Sequence, residues 1–431
     1  MDPVRFPDFP ALVKQIHDEG LKVILWATSM VNTDNPDYDY AVKNKFLIRD
    51  SHGIVRPLKW WHGSGGLLDY SNPDAVTWWH SLMDRVLDAG VDGFKCDGTD
   101  PYIIEYSLTG GALGYQDQVI NYPEYAHMYY RDFFYYTRQK RAADGPNNSD
   151  AGLIMSRPVD CTVDSVSKVC NPFSPKDVML SGWVGDDDAT FQGMEGCLRK
   201  TIYSAWMNYA NFGCDIGGYR GSTSTFSKPL FIRWAQMGAF QSLMENGGGG
   251  EHRPWMYDEE TTKIYRHFTV QHNRLAAYMH TMGAIALEQG TSTMHPVDEQ
   301  IISVNTTSKD FSVVFPQPRT YSYRLGDDIL VHPVVFNVND KTDASTVRMS
   351  FPEEKDGTST VWLDWWRPNE MDLAHKSGDV KLREVPLFSY PVYVREGALM
   401  PLYAASIDQH GVDKVDMNRV LFTWFHPSAS K

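Results

Sequence analysis

The segment from Val91 to Tyr102, VDGFKCDGTDPY, closes a hydrophobic run with Lys95, Cys96 and Asp97 and sets Asp100 three residues further on. A second acidic group lies in WVGDDDATF, where Asp186, Asp187 and Asp188 are consecutive. Adjacent carboxylates repel one another, and burial of one raises its pKa, the property of a group that must hold a proton near neutral pH. One ionised and one protonated carboxyl group are the equipment for cleaving a glycosidic bond, with neither cofactor nor metal. The plainer readings are a helix cap or turn former for Asp97 and a solvated acidic turn for the triplet. A calcium site is a further option, although GDDDAT lacks the alternating ligand spacing of the known loop.

The elements that must position these residues alternate. Leu12, Val13 and Ile16 recur at helical spacing before Gly20, and LKVILWAT then reads as a buried strand. Asn72-Pro73 opens a helix with Ala75, Val76, Trp79, Leu82, Met83, Val86 and Leu87 on one face, Gly90 closes it, and VDGFKC follows as a strand. After a polar loop, GLIMS and VMLSGW read as strands, residues 190–211 as a helix and FGCDIGG as a strand. Residues 231–237 read as a helix, GAFQSLM as the last of six strands, and residues 259–280 as a long amphipathic helix. This rhythm predicts a parallel sheet with helices outside it, open or closed into a barrel. Beyond about Ile285, short alternating segments such as ILVHPVVF and STVWLDWW predict an all-β module, so the expected domains are 1–285 and 286–431.

In parallel α/β folds the chemistry collects at the carboxyl ends of the strands. This chain puts Trp26 and Thr28, Lys95 and Asp97, Arg157, Trp183 and Asp186, Asp215, and Glu245 with Asn246 at successive strand ends. Aromatic residues nearby (Trp26, Trp60, Trp61, Trp183, Tyr219, Trp255) suit the apolar faces of sugar rings, though most such residues are ordinarily core.

The bulk properties agree with a neutral polar ligand. The 431 residues are 42% hydrophobic and 13% aromatic, enough for a large core and more than one domain. A net charge of −14 without basic runs argues against nucleic acid and anionic membrane surfaces. No stretch reaches the roughly 18 apolar residues of a membrane span, and MDPVRFPDFP lacks a signal peptide's basic and apolar regions. Five cysteines without a CxxC pair read as small buried hydrophobes; Cys161 and Cys170 alone are placed to bridge in an oxidising compartment. Asn147 and Asn305 begin N-x-S/T sequons, which point only weakly to secretion, so the compartment stays open.

FPDFPALVKQIHDEGLKVILW, LLDYSNPDAVTWW, VDGFKCDGTDP, SRP, WVGDDD, FGCDIGGYRG and RWAQMGAFQSLMEN together resemble glycoside hydrolase family 31, the α-glucosidase, α-xylosidase and α-galactosidase group; LGDDILVHPVV and PVYVREGALMPLY resemble its β-rich tail. The resemblance implies a partial TIM (β/α)8 barrel carrying strands three to eight, followed by an all-β C-terminal domain, and retaining hydrolysis of a terminal α-linked sugar. It implies Asp97 as nucleophile, with Asp100-Pro101 where many members have Glu-Pro, and Asp186 as general acid/base. Lys95, Arg157, Trp183, Asp215, His252 and Trp26 would line the sugar pocket, and retention requires the two carboxyl groups roughly 5–5.5 Å apart. Lys95 resembles the xylosidase and galactosidase branches better than the α-glucosidase one.

The chain departs from the family pattern in Asp187 for the usual Asn, Phe191 for a usual Trp, and a four-glycine run from Gly247 where a sugar-binding His usually follows LMEN; His252 is the nearest replacement. The family's barrel has two further strands and a β-sandwich before the segment matching Phe6 onward, so the chain is expected to be N-terminally truncated. Two alternatives follow: a carbohydrate-binding pseudoenzyme that keeps the pocket without turnover, and a transglycosylase in which a sugar replaces water as acceptor.

Overall fold

The computed structural model describes residues 2–98, 112–142, 152–161, 169–172, 174–222, 227–297, 303–305, 312–314, 320–336, 344–353, 357–407 and 413–426. The chain divides into two compact units, one of Met1–Arg157 with Phe173–Leu180 and the other of Pro158–Pro172 with Ser181–Lys431.

In the first unit three parallel strands lie side by side. Strand β1 (Ile24–Ala27) pairs with β2 (Gly93–Cys96) in the register Trp26 to Lys95, and β2 pairs with β3 (Leu153–Ser156) in the register Lys95 to Met155. Helix α1 (Phe9–Asp18) precedes β1 and is capped by the Asp8 carboxylate, which accepts from the Ala11 N–H. Helix α2 (Pro73–Leu87) precedes β2; Asn72 caps it and Pro73 opens it, as Pro does best where no backbone donor is needed. Side chains alternate across a strand. Phe94 and Cys96 therefore join the core packed by the following helix, with Phe94 edge-on to Phe133 at 5.2 Å, while Lys95 and Asp97 fall on the opposite face of β2.

That following helix, α3 (Tyr122–Ala142), lies where the sequence reads as a polar loop. Its apolar stripe is written in aromatics: Tyr125, Tyr129 and Phe133 recur every four residues and are buried, but six tyrosines lower the mean hydropathy of the segment. A phenol buries its ring while placing its hydroxyl on a partner, and Tyr125 and Tyr129 do so against Ser29 and the backbone of Ala27.

The second unit continues the alternation. Strand β4 (Ser181–Gly182) is extended by a parallel bridge from Trp183 to Gly213, and β5 (Gly213–Asp215) pairs in parallel with β6 (Leu243–Glu245), Asp215 opposite Glu245. Helices α4 (Phe191–Trp206), α5 (Lys228–Gly238) and α6 (Glu259–Gln289) are capped by the side chains of Thr190, Ser227 and Asp258. Helix α6 runs nine residues past the expected stop at residue 280 and closes on left-handed Gly290. The GAFQSLM strand shrinks to its last residues because α5 holds the chain through Gly238.

Beyond α6 the unit is β-structure. Six antiparallel strands stand in the order Met294–Pro296, Tyr323–Leu325, Ile329–Val331, Val392–Arg395, Val361–Asp364, His375–Lys376, with Ala344–Ser350 paired to Val380–Pro386 and a long hairpin of Leu399–Ile407 and Asp413–Trp424. Buried Arg233 of α5 ties helix to sheet, donating to the carbonyls of Val385 and Ser389 at 2.7 and 2.8 Å. The expected polar loop around Cys161 and Cys170 also forms strands: Val159–Cys161 and Val169–Pro172 pair in antiparallel register with those two residues opposite each other. Cys96, Cys197 and Cys214 are buried free thiols.

Candidate active-site residues

At the end of β2 the Asp97 N–H donates to the Ala27 carbonyl at 2.9 Å, which carries the strand pairing one residue beyond the regular ladder. Its carboxylate is held by a donor on each oxygen, Arg157 Nη2 on Oδ1 at 3.0 Å and Trp26 Nε1 on Oδ2 at 3.1 Å. The Asp97 and Arg157 side chains are each 12% exposed, so a charge-assisted bond between them is poorly screened. The placement follows from strand periodicity. Lys95 and Asp97, two apart, share one face of β2; Trp26 is the register partner of Lys95, and Arg157 stands two residues past Met155 on the other side.

Support comes from the helix side of the sheet, where the Tyr129 hydroxyl lies 3.1 and 3.2 Å from the carbonyls of Ala27 and Asp97. After Asp97 the chain turns through Gly98 at φ +77°, where a Cβ would stand 2.5 Å from the Thr28 hydroxyl. Only glycine meets both demands, which fixes the exit of the chain from the carboxylate. Asp100 and Pro101 lie outside the described residues.

The second unit gathers the other candidates. Of the acidic triplet, Asp186 is half-buried, Asp187 is buried and Asp188 is exposed. Asp187 pairs with Lys200 of α4 at 2.8 Å; burial pushes its carboxyl above the ordinary value while Lys200 and Arg220 pull the other way. Asp188 pairs with Arg220 at 2.8 Å. The backbone repeats the strap, since the Asp187 carbonyl accepts from the N–H groups of Tyr219 and Arg220, and Ala189 N–H donates to the Arg220 carbonyl. Asp186 thus stands directly before a turn pinned at side chain and main chain.

Asp215, at the end of β5, is 2% exposed, and Gly247 passes so close that a Cβ there would lie 3.4 Å from Asp215 Oδ1. The His252 Nδ1 is 3.0 Å from the carbonyl of Ile216, the residue after Asp215. Burial lowers the His252 pKa, opposed by that hydrogen bond and by Glu251. The glycine run therefore loops over the strand end and returns His252 beside it. Trp183 is buried at 1% exposure.

The structure joins Trp26, Asp97 and Arg157 into one hydrogen-bonded group and places His252 beside the Asp215 strand end. Lys200 and Arg220 were not legible as site residues. A lysine inside an amphipathic helix and an arginine in a Gly-rich turn carry no spacing signal, and only packing sets them against Asp187 and Asp188. Among the described residues no group of three or more His, Cys, Asp or Glu could hold a metal ion, and no helix is long and apolar enough to cross a membrane.

The first unit sets Asp97, Arg157 and Trp26 at the ends of parallel strands, and in the second unit parallel strands and helices precede an antiparallel β domain. The chain belongs to glycosyl hydrolase family 31: the model of the family's TIM-barrel domain matches residues 1–282 and that of its C-terminal domain residues 305–400. It is 22% identical to an alpha-xylosidase of Emericella nidulans over 93% of this chain and 46% of that protein. It is 23% identical to human neutral alpha-glucosidase C over 93% of this chain and 41% of that one. The fold matches the Flavobacterium johnsoniae GH31 dextranase complexed with glucose, with a TM-score of 0.71 at 20% identity over 98% of this chain and 49% of that chain. The chain spans half or less of the length of the curated relatives it matches.

Proposed function

We propose that this chain carries the catalytic part of a retaining α-glycosidase that removes terminal α-linked sugars from oligosaccharides or glycoconjugates. The observation that carries the reading is the Asp97 carboxylate at a strand end, with one donor on each oxygen and a guanidinium as its counter-charge. Asp97 attacks the anomeric carbon as the glycosidic C–O bond breaks, and Asp186 gives its proton to the departing oxygen. Asp186 then takes a proton from water, whose oxygen displaces Asp97 and leaves the anomeric configuration retained. Lys95, Arg157, Trp26, Trp183, Asp215 and His252 bind the sugar, and no step calls on a cofactor or metal. Membership of the family and relatives named alpha-xylosidase and alpha-glucosidase support the reaction class.

The test is turnover of nitrophenyl α-glycosides of glucose, xylose and galactose by the chain and by Asp97→Ala. Loss on the order of a thousandfold or more, with the α-anomer as first product by NMR, is the expected result. A β-anomer first product, or an Asp97→Ala variant as active as its parent, refutes the assignment. Sugar-induced stabilisation without turnover would make the chain a binder, and products longer than the substrate would make it a transferase.

A further inference from the structure

After Arg157 the chain makes a short excursion. Residues 158–172 belong to the second unit, and the chain on either side, through Arg157 and from Phe173, belongs to the first. The Ser174 hydroxyl, just past the return, donates to the Arg157 carbonyl. Within the excursion Val159–Cys161 pairs in antiparallel register with Val169–Pro172: Val159 stands opposite Pro172, Asp160 opposite Asn171, and Cys161 opposite Cys170.

This pairing is thin. Among the described residues Val159–Cys161 is an edge strand with Val169–Pro172 as its one neighbour. It has three rungs, and Pro172 brings no N–H to the first of them. An edge so short is marginal on backbone hydrogen bonds alone. The third rung can supply what the backbone lacks. Residues directly opposite each other in an antiparallel ladder share a face and have Cα atoms about 4.5–5.5 Å apart, inside the roughly 4.4–6.8 Å that a disulfide spans. Register decides this where spacing cannot, because a slip of one residue on either strand would put the two cysteines on opposite faces. Cys96, Cys197 and Cys214 are free thiols buried in the core, away from a dissolved oxidant.

We propose that Cys161 and Cys170 form an intramolecular disulfide that steadies the main chain leaving Arg157, the residue that donates to Asp97 Oδ1. The oxidant is a small disulfide such as oxidised glutathione. One cysteine thiolate attacks a glutathione sulfur and expels glutathione thiolate; the other then attacks the first cysteine's sulfur and expels the second. Two cysteine thiols lose two electrons and two protons, and one glutathione disulfide becomes two thiols. The bridge does not depend on the reading of Asp97 as the attacking carboxylate; its effect on turnover does.

The whole chain, treated with oxidised glutathione and then denatured and alkylated, should take up three alkyl groups instead of five. Peptide mapping should join Cys161 to Cys170, and dithiothreitol should restore all five sites. Five groups after oxidation, a glutathione adduct that goes no further, or a link between Cys197 and Cys214 in its place overturns the bridge. Hydrogen exchange reads the steadying without turnover. Peptides covering residues 153–161 should exchange about tenfold to a hundredfold more slowly in the oxidised chain than in the reduced one, and Cys161→Ser should keep the reduced rate with or without oxidant. Equal rates in the oxidised and reduced parent overturn the steadying. On a nitrophenyl α-glycoside, reduction should lower kcat/KM by about threefold to tenfold in the parent and not in Cys161→Ser. An active parent indifferent to reduction overturns the link to Arg157. A parent without turnover refutes the role of Asp97, and the bridge then stands or falls on alkylation and exchange.

Discussion

Replacing Lys200 by methionine strands Asp187. The pair is 2.8 Å apart with both side chains about a tenth exposed, so removing the ammonium leaves a buried carboxylate with Arg220 as a remaining counter-charge. Breaking a buried ion pair in this way costs about 3–5 kcal/mol, a large share of the roughly 5–15 kcal/mol that holds a domain together. The deficit must also depend on pH. Burial already sets the folded pKa of Asp187 above its ordinary 3.8, and loss of Lys200 raises it further. A carboxyl whose folded pKa exceeds its unfolded pKa adds stability below the unfolded value and loses that contribution as pH rises through the folded one. The gap between Lys200→Met and its parent should therefore be small near pH 4 and widen toward pH 7. Urea midpoints followed by tryptophan fluorescence at both pH values measure it, and Asp187→Asn in the Lys200→Met background should recover most of the loss. A deficit below about 0.5 kcal/mol at pH 7, where ordinary surface substitutions fall, or one that does not vary with pH, refutes the reasoning. Because the Asp187 backbone also receives the Tyr219 and Arg220 N–H groups, the same variant should loosen the turn after Asp186.

Trp26→Phe keeps a ring against Trp60 and Trp61 but removes the donor on Asp97 Oδ2; a hydrogen bond to a charged, partly solvated group is worth about tenfold in kcat/KM, and an unchanged value on the nitrophenyl glycoside contradicts its positioning role. His332, fully buried against Ser322 in the C-terminal sheet, is held down to a pKa of about 3 by burial. The unfolded chain takes up that proton near pH 6.5 and the folded chain does not, so stability falls by about 2 kcal/mol between pH 6.5 and 5. His332→Asn should flatten that part of the urea-midpoint profile, and an unaltered profile argues against the assignment.

Local signals marked most of the elements. Asn72-Pro73 and Gly90 bracketed α2, alternating apolar residues marked the C-terminal strands, and the six parallel strands stand near the runs read as strands. Two kinds of element escaped. Helix α3 hides its stripe in tyrosines, which a hydropathy reading scores as polar although the core buries their rings. The ladder of Val159–Cys161 and Val169–Pro172 takes its outer neighbours, Ser303–Asn305 and Ser312–Val314, from more than a hundred residues away, a pairing that no local pattern records.

The candidate site divides in the same way. The identity of Lys95, Asp97, Arg157, Asp186 and Asp215 as polar residues at strand ends is a local property, because hydrophobic periodicity tells where a strand stops and strand alternation tells which residues share its face. The partners of these residues are not local. Trp26 and Arg157 reach Asp97 from 71 and 60 residues away, and Lys200 and Arg220 meet Asp187 and Asp188 through packing. The sequence determined which groups stand at the strand ends; tertiary structure decided which donors and counter-charges meet them, because hydrogen bonds and ion pairs form at contact distance and chain separation does not measure that distance.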